Sequence, residues 1–160
     1  MPDNQMMTCL WFDTNAEEAV DFYCSVFKDA KKGVVSYYGD AGPMPKGQVM
    51  MVRFHIKGQQ FFALNGGPVF KFTPAISLVA VCEDQQEIDT TWEKLLAGGG
   101  REIECGWLTD RFGLSWQVVP REIMELHEKG DQRRIDQMMK AMMSGMKKLD
   151  LAKMKAAYYA

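Results

Sequence analysis

The sequence predicts an α+β fold: two βαβββ modules in tandem, followed by a helical tail. Three observations predict it. Residues 6–66 read strand, helix, strand, strand, strand from apolar periodicity and turn chemistry, and residues 74–120 read the same order again. A shift of 69 positions sets Thr8 on Ser77, Leu10 on Val79, Phe12 on Val81, Glu18 on Glu87, Tyr23 on Trp92 and Val26 on Leu95. After Pro120 the apolar spacing turns helical and stays so.

Each element follows from local chemistry. Residues 6–13 alternate as a buried strand does, and Asn15 is placed to cap the next helix. Glu17 and Glu18 stand in its first turn, where carboxylates suit the helix dipole. Ala19, Phe22, Tyr23, Val26 and Phe27 recur at helical spacing; residues 31–33 end the helix and 34–38 form a short strand. Residues 40–47 are a Gly/Pro loop, and strands at 48–57 and 60–65 meet at a Gly58 turn. In the second module, residues 76–82 read as a strand and 85–96 as a helix stopped by Gly98, Gly99 and Gly100; residues 101–106 begin the closing strands. The run 105–120, CGWLTDRFGLSWQVVP, is a β-hairpin whose Asp110–Gly113 turn has glycine free for positive φ. Within its second strand, 114–119, Gln117 stands between Trp116 and Val118, where a polar side chain must find partners or line a cavity. Tail helices fall at 121–129, 132–143 and 151–159, with Asp131 and Asp150 as caps. Met138, Met139, Met142, Met143 and Met146 form a stripe suited to irregular apolar packing, on this chain or on a partner.

Composition narrows the function classes. A chain of 160 residues makes one ordinary domain or two small modules sharing a core. Its formal net charge of −2 gives no general pull towards nucleic acid or anionic membrane. No apolar run approaches the roughly 20 residues of a membrane span, and the N-terminus lacks the layout of a signal peptide. The expectation is a cytoplasmic protein with neither nucleic acid nor membrane as partner. Cys9, Cys24, Cys82 and Cys105 show no CxxC and no short zinc spacing, so they read as free, buried thiols.

The closing hairpin resembles that of the PhnB-like family, as do FDTNAEEAVDFY at 12–23, YYGDAGP at 37–43, NGGPVFKFT at 65–73 and the tail run AMMSGMKKLDLAKMKAAY at 141–158. That family belongs to the glyoxalase/bleomycin-resistance/extradiol-dioxygenase (vicinal oxygen chelate, VOC) superfamily and often carries the label 3-demethylubiquinone 3-methyltransferase. The resemblance spans nearly the whole chain. It implies a glyoxalase/bleomycin-resistance domain over 1–130 with curved mixed sheets (module one about 6–66, module two about 74–120) and a helical extension at 131–160. It also implies a funnel-shaped cavity between the modules, and a homodimer. In metal-binding members the first and last strands of each module supply His and Glu, the last in a pattern like D-x-x-G-x-x-x-E. Asp110 and Gly113 fit that pattern, and Gln117 holds the Glu position. The other places fall at Met7 or Thr8, at Ile76 or Ser77, and on the Ala63/Asn65 face. None holds His, Asp, Glu or Cys, and hydroxyls and carboxamides alone repay an ion's dehydration poorly. His55 and His127 match no ligand place. The expectation is therefore no metal and no cofactor.

The cavity so implied would offer Thr8, Asn65, Ser77 and Gln117 as hydrogen-bonding groups among Trp11, Phe61, Phe70, Trp107 and Trp116. The ligand-binding candidates are Thr8, Trp11, Asn65, Ser77, Trp107, Trp116 and Gln117. The competing role for the polar ones is to satisfy backbone groups inside the sheets. Lys46, Arg53, Lys71 and Arg111 are rim charges that either draw an anionic ligand or are simply solvated. No catalytic set is visible: there is no P-loop, GxSxG or Ser/His/Asp grouping, and the glycine run after a helix reads as a stop rather than a nucleotide cradle. The reading is a metal-free VOC protein that binds a small molecule. Its rivals are an enzyme (a metal-dependent lyase, isomerase or dioxygenase, or the methyltransferase of the family label) and a structural dimer with a vestigial cavity.

Overall fold

In the computed structural model, residues 6–160 are described; the first five positions of the domain expected at 1–130 lie outside them. Contacts divide the chain into two compact units, one ending at Phe72 and the other spanning Thr73–Ala160.

The first unit contains β1 (Thr8–Phe12), α1 (Ala16–Val26), β2 (Lys31–Tyr37), β3 (Val49–Ile56) and β4 (Gln59–Asn65), in sheet order β1-β4-β3-β2. β1 runs parallel to β4, and the other pairings are antiparallel, so the sheet is mixed. Alternation along the strands buries Leu10, Phe12, Val52, Phe54, Phe61 and Ala63 on one face, while α1 buries Ala19, Val20 and Tyr23. Phe54 stacks on Tyr23 of α1 at 6.2 Å and on Phe61 of β4 at 5.1 Å, which identifies this as the helix-covered face. Residues 31–33, expected to end the helix, instead open β2. Lys32 turns towards α1, and its ammonium bonds Glu17 at 2.7 Å and Asp21 at 3.0 Å. A register shift between Lys32 and Val35 then carries the strand on.

The second unit contains β5 (Ser77–Cys82), α2 (Gln85–Leu96), β6 (Arg101–Glu102), β7 (Trp107–Thr109), β8 (Ser115–Pro120), α3 (Arg121–Glu128), α4 (Gln132–Met143) and α5 (Leu151–Tyr159). Its sheet order, β5-β8-β7-β6 with β5 parallel to β8, repeats that of the first. Asp84 caps α2 by accepting from the Glu87 amide at 2.8 Å. The helix buries Ile88, Trp92 and Leu95 over the sheet face that holds Ala80, Cys82, Leu108, Trp116 and Val118. The expected 101–106 strand stops early. Cys105 sits at φ 62, and the amides of Cys105 and Gly106 donate to the Met146 and Lys147 carbonyls, each at 2.7 Å. Gly106, at φ 81, lies so near the tail that a Cβ there would stand 2.9 Å from the Leu149 side chain.

The internal repeat is present, with its register corrected. By buried face, Leu10 and Phe12 correspond to Ala80 and Cys82, a shift of 70, whereas Tyr23 and Val26 correspond to Trp92 and Leu95 at 69. The link from strand to helix is one residue longer in the first unit, residues 13–15 against 83–84. A single shift of 69 therefore put Thr8 and Ser77 together although they lie on opposite faces.

Ile123, Leu126, Ile135, Met138, Leu149, Met154 and Tyr158 form one buried cluster, with Met139, Met142 and Met146 packed against it. The methionine stripe is thus covered mostly by its own unit, and Met143 stays exposed. Asp131 and Asp150 cap their helices as expected, accepting from Arg134 and Lys153 amides at 3.2 and 3.0 Å. The described residues form an α+β protein with two four-stranded mixed sheets and five helices. None of those helices is long and apolar enough to cross a membrane.

Candidate functional site

With one face of each sheet committed to a helix, the residues open to other roles lie on the opposite faces. In the first unit that face carries Trp11, Arg53, His55, Phe62 and Leu64, by alternation in β1, β3 and β4. Trp11 is already held. Its indole donates to the Gly67 carbonyl at 2.9 Å, its ring meets Phe70 edge-on at 5.0 Å, and a Cβ on Gly66 would lie 2.3 Å from it. The Arg53 guanidinium lies over the Phe62 ring at 5.1 Å.

Thr8 and Asn65 belong to the other face, since their register partners are Phe61 and Phe12. The Thr8 hydroxyl accepts from Gln59 at 3.3 Å. Asn65, 5% exposed, does structural work. Its Oδ1 accepts from the Ala16 amide at 2.8 Å and its Nδ2 donates to the Val49 carbonyl at 3.0 Å. Asn15, in the N-cap position, makes no side-chain capping bond, so Asn65 caps α1 from a strand of the same unit. The Asn65 carbonyl also accepts from the Tyr38 hydroxyl. Both polar side-chain atoms of Asn65 are thus bonded to the backbone of its own unit.

In the second unit Ser77, Val79, Trp107, Thr109, Ser115 and Gln117 share the face turned from α2. Ser77, Ser115 and Thr109 stand side by side in register across three strands, with Val79, Gln117 and Trp107 in the next row. The Gln117 amide donates from Nε2 to the Ser77 hydroxyl at 2.9 Å. The Ser115 hydroxyl is buried and has no hydrogen-bond partner among the described residues. Trp116 lies apart from this group. It is 2% exposed on the α2 face, with its indole bonded to Asp110 Oδ2 at 2.9 Å. Asp110 Oδ1 meanwhile accepts from the Phe112 and Leu114 amides at 2.9 and 3.1 Å, and Gly113 takes φ 85. The Asp and Gly of the closing pattern are therefore a turn clamp, which aims Trp116 inward and Gln117 to the opposite face.

A cleft of 530 Å³ opens on the Gln117 side of this sheet. Trp107, Gln117, Val119 and Cys105 form its floor, and Ile123, Met124 and His127 of α3 and Met139 and Met142 of α4 form its walls. Sequence reasoning missed the helical walls; the methionine stripe was the one signal pointing to them. A second hollow, of 990 Å³, lies along the α4–α5 loop, but its lysines are taken: Lys148 by Asp89 at 2.7 Å, Lys155 by Glu122 at 2.8 Å and Lys153 by Asp150 at 3.6 Å. Of the rim charges, Lys46 pairs with Asp40 at 3.0 Å and Arg111 lies over Phe112 at 5.0 Å.

The corrected register also locates the places where metal-binding relatives would hold ligands. Within the first unit they are Met7, by alternation, and Phe62; within the second, Ser77 and Gln117. A thioether, a phenyl ring, a hydroxyl and a carboxamide do not fit a divalent cation. Among the described residues no three His, Cys, Asp or Glu side chains gather as a metal-binding group. All four cysteines are free, and burial, together with Asp21, pushes the Cys24 thiol up, away from thiolate chemistry.

A family model described as 3-demethylubiquinone-9 3-methyltransferase matches residues 4–119. The PhnB protein of Bacillus cereus is 35% identical, covering 73% of this chain and 99% of its own, with a TM-score of 0.66. Protein PA1353 of Pseudomonas aeruginosa is 22% identical over 74% of this chain and 98% of its own, TM-score 0.61. The fosfomycin resistance protein FosX of Listeria monocytogenes is 16% identical over 78% and 97%, TM-score 0.57, and like the former shows the fold alone. No curated protein matches the chain. With the family model spanning both βαβββ units, the chain belongs to the PhnB-like family described as 3-demethylubiquinone-9 3-methyltransferase, within the VOC superfamily.

Proposed function

We propose that the protein binds a small organic molecule without a metal ion, at the face of the second sheet that carries Ser77, Trp107 and Gln117. One observation supports this above others: Gln117, at the position where metal-binding members of the superfamily would present a Glu, is bonded to Ser77 on a sheet face that opens into a cleft of 530 Å³. A mainly apolar hollow with a few convergent polar groups is the usual form of a small-molecule site. The test is a thermal-shift screen of purified protein against metabolites and divalent cations, because a ligand of the native state raises stability by mass action. Stabilisation by organic compounds but not by cations supports the reading. About one tightly held ion per chain in elemental analysis, lost to a chelator together with stability, sinks it.

The methyltransferase of the family's description is the second reading, and a calorimetric titration with S-adenosylmethionine separates the two. The Gly98–Gly100 run, the chain's longest glycine stretch, ends α2 rather than opening a helix after a strand, which favours the binding reading. A homodimer is part of the proposal on family grounds alone, since the methionine stripe is mostly covered within its own unit. Light-scattering chromatography of the full chain decides it.

A further inference from the structure

We infer that the C-terminal helices give the second unit a ligand site of its own: the cleft between β7, β8, α3 and α4 takes a flat, uncharged aromatic molecule bearing one hydrogen-bond donor. The inference rests on the small-molecule reading above and narrows it to a place and a ligand class. The family model ends at residue 119, whereas the walls begin at Ile123, so the tail closes the site over a floor that the family module supplies.

Size, wall chemistry and polarity agree on the class. At 530 Å³ the cleft lies within the roughly 300–1,000 Å³ of small-molecule pockets. Trp107, Val119, Ile123, Met139 and Met142 give it an apolar lining, and thioethers both adapt in shape and contact ring edges favourably. Gln117 spends one Nε2 hydrogen on Ser77, which leaves its acceptor Oε1, with the second N–H, for a ligand. Glu128 lines the cleft and no Lys or Arg does, which disfavours an anion. An aromatic body with one N–H or O–H directed at Gln117 satisfies all of these.

The test uses full-length protein and N-phenyl-1-naphthylamine, a neutral two-ring-system probe with a single N–H, whose emission rises and shifts blue in apolar surroundings. Saturable one-to-one binding is expected, with energy transfer from tryptophan. Met142→Trp, which fills the cleft, should weaken binding by about ten-fold or more. Gln117→Leu, which keeps the shape but removes the acceptor, should weaken it by about five-fold. Val34→Ser, at an exposed position of β2 in the other unit, should leave it unchanged. Saturable binding that neither cleft substitution weakens overturns the inference and leaves the small-molecule reading standing. Failure of both the probe and the metabolite screen to bind saturably overturns the two together. Because Gln117→Leu leaves the tail intact, a Met142→Trp chain that fails to fold does not remove the test.

Discussion

Asn65→Ala tests whether the buried amide is structural. The substitution removes the acceptor for the Ala16 amide and the donor to the Val49 carbonyl, bonds of 2.8 and 3.0 Å. A buried polar group left without a partner costs about 1–3 kcal/mol. The Ala16 amide is buried and carries the full cost; the bond to Val49 is only part-buried, so water recovers some of that loss. The expected loss is roughly 3 kcal/mol from the first unit. Chemical denaturation followed by circular dichroism reads the total. Amide hydrogen exchange places it, with the Ala16 amide exchanging on the order of a hundred-fold faster. Asn65→Asp, which keeps an acceptor for Ala16 and loses the donor to Val49, should cost less than Asn65→Ala. A loss below about 1 kcal/mol with Ala16 exchange unchanged would refute the capping argument and return Asn65 to the ligand candidates.

Three further outcomes follow from the same structure. Asp110→Ala strands the Phe112 and Leu114 amides and the Trp116 indole, so it should cost roughly 3 kcal/mol or more in denaturant titration; a loss near zero would show that the turn holds without its clamp. Gln117→Leu breaks one bond to a half-buried hydroxyl and should change stability by about 1 kcal/mol or less, whereas a loss above about 2 kcal/mol would make it a structural residue. The hydrogen bond from Lys148, then the Gln85 amide, hold the Asp89 carboxyl below its ordinary 3.8. A depressed folded value means the stabilisation is present above pH 3.8 and is lost as pH falls through the folded value. Thermal melts at pH 5 and below 3.8 should therefore show a steeper acid loss in the parent than in Asp89→Asn, and equal slopes would count against the pairing.

Much of this fold was legible in the chain because the signals are local. Period-two apolar patterning located β1, β3, β4, β5 and β8 to within a residue or two; helical spacing located α2 and, with Asp131 and Asp150 as caps, α4 and α5. The Asp110–Gly113 turn was readable from turn chemistry alone, and Ser77, Trp107 and Gln117 do share one sheet face. The family likewise was readable, since its motifs are contiguous runs. What the sequence could not set was which alternate residues face a helix. A strand specifies two faces but not which one is covered, and a one-residue slip exchanges them all. That slip, absorbed in the link before α1, puts Thr8 in step with Ser77 in the sequence, although the two lie on different faces of their sheets. Only the pairing of β4 with β1 and of β8 with β5, across more than 30 residues, determines that Asn65 caps a helix and Trp116 is core. The cleft is a tertiary product for the same reason. Its floor and walls come from segments whose spacing along the chain carries no shared period, so it exists only once Leu149 has docked on Gly106 and the tail has folded over its sheet.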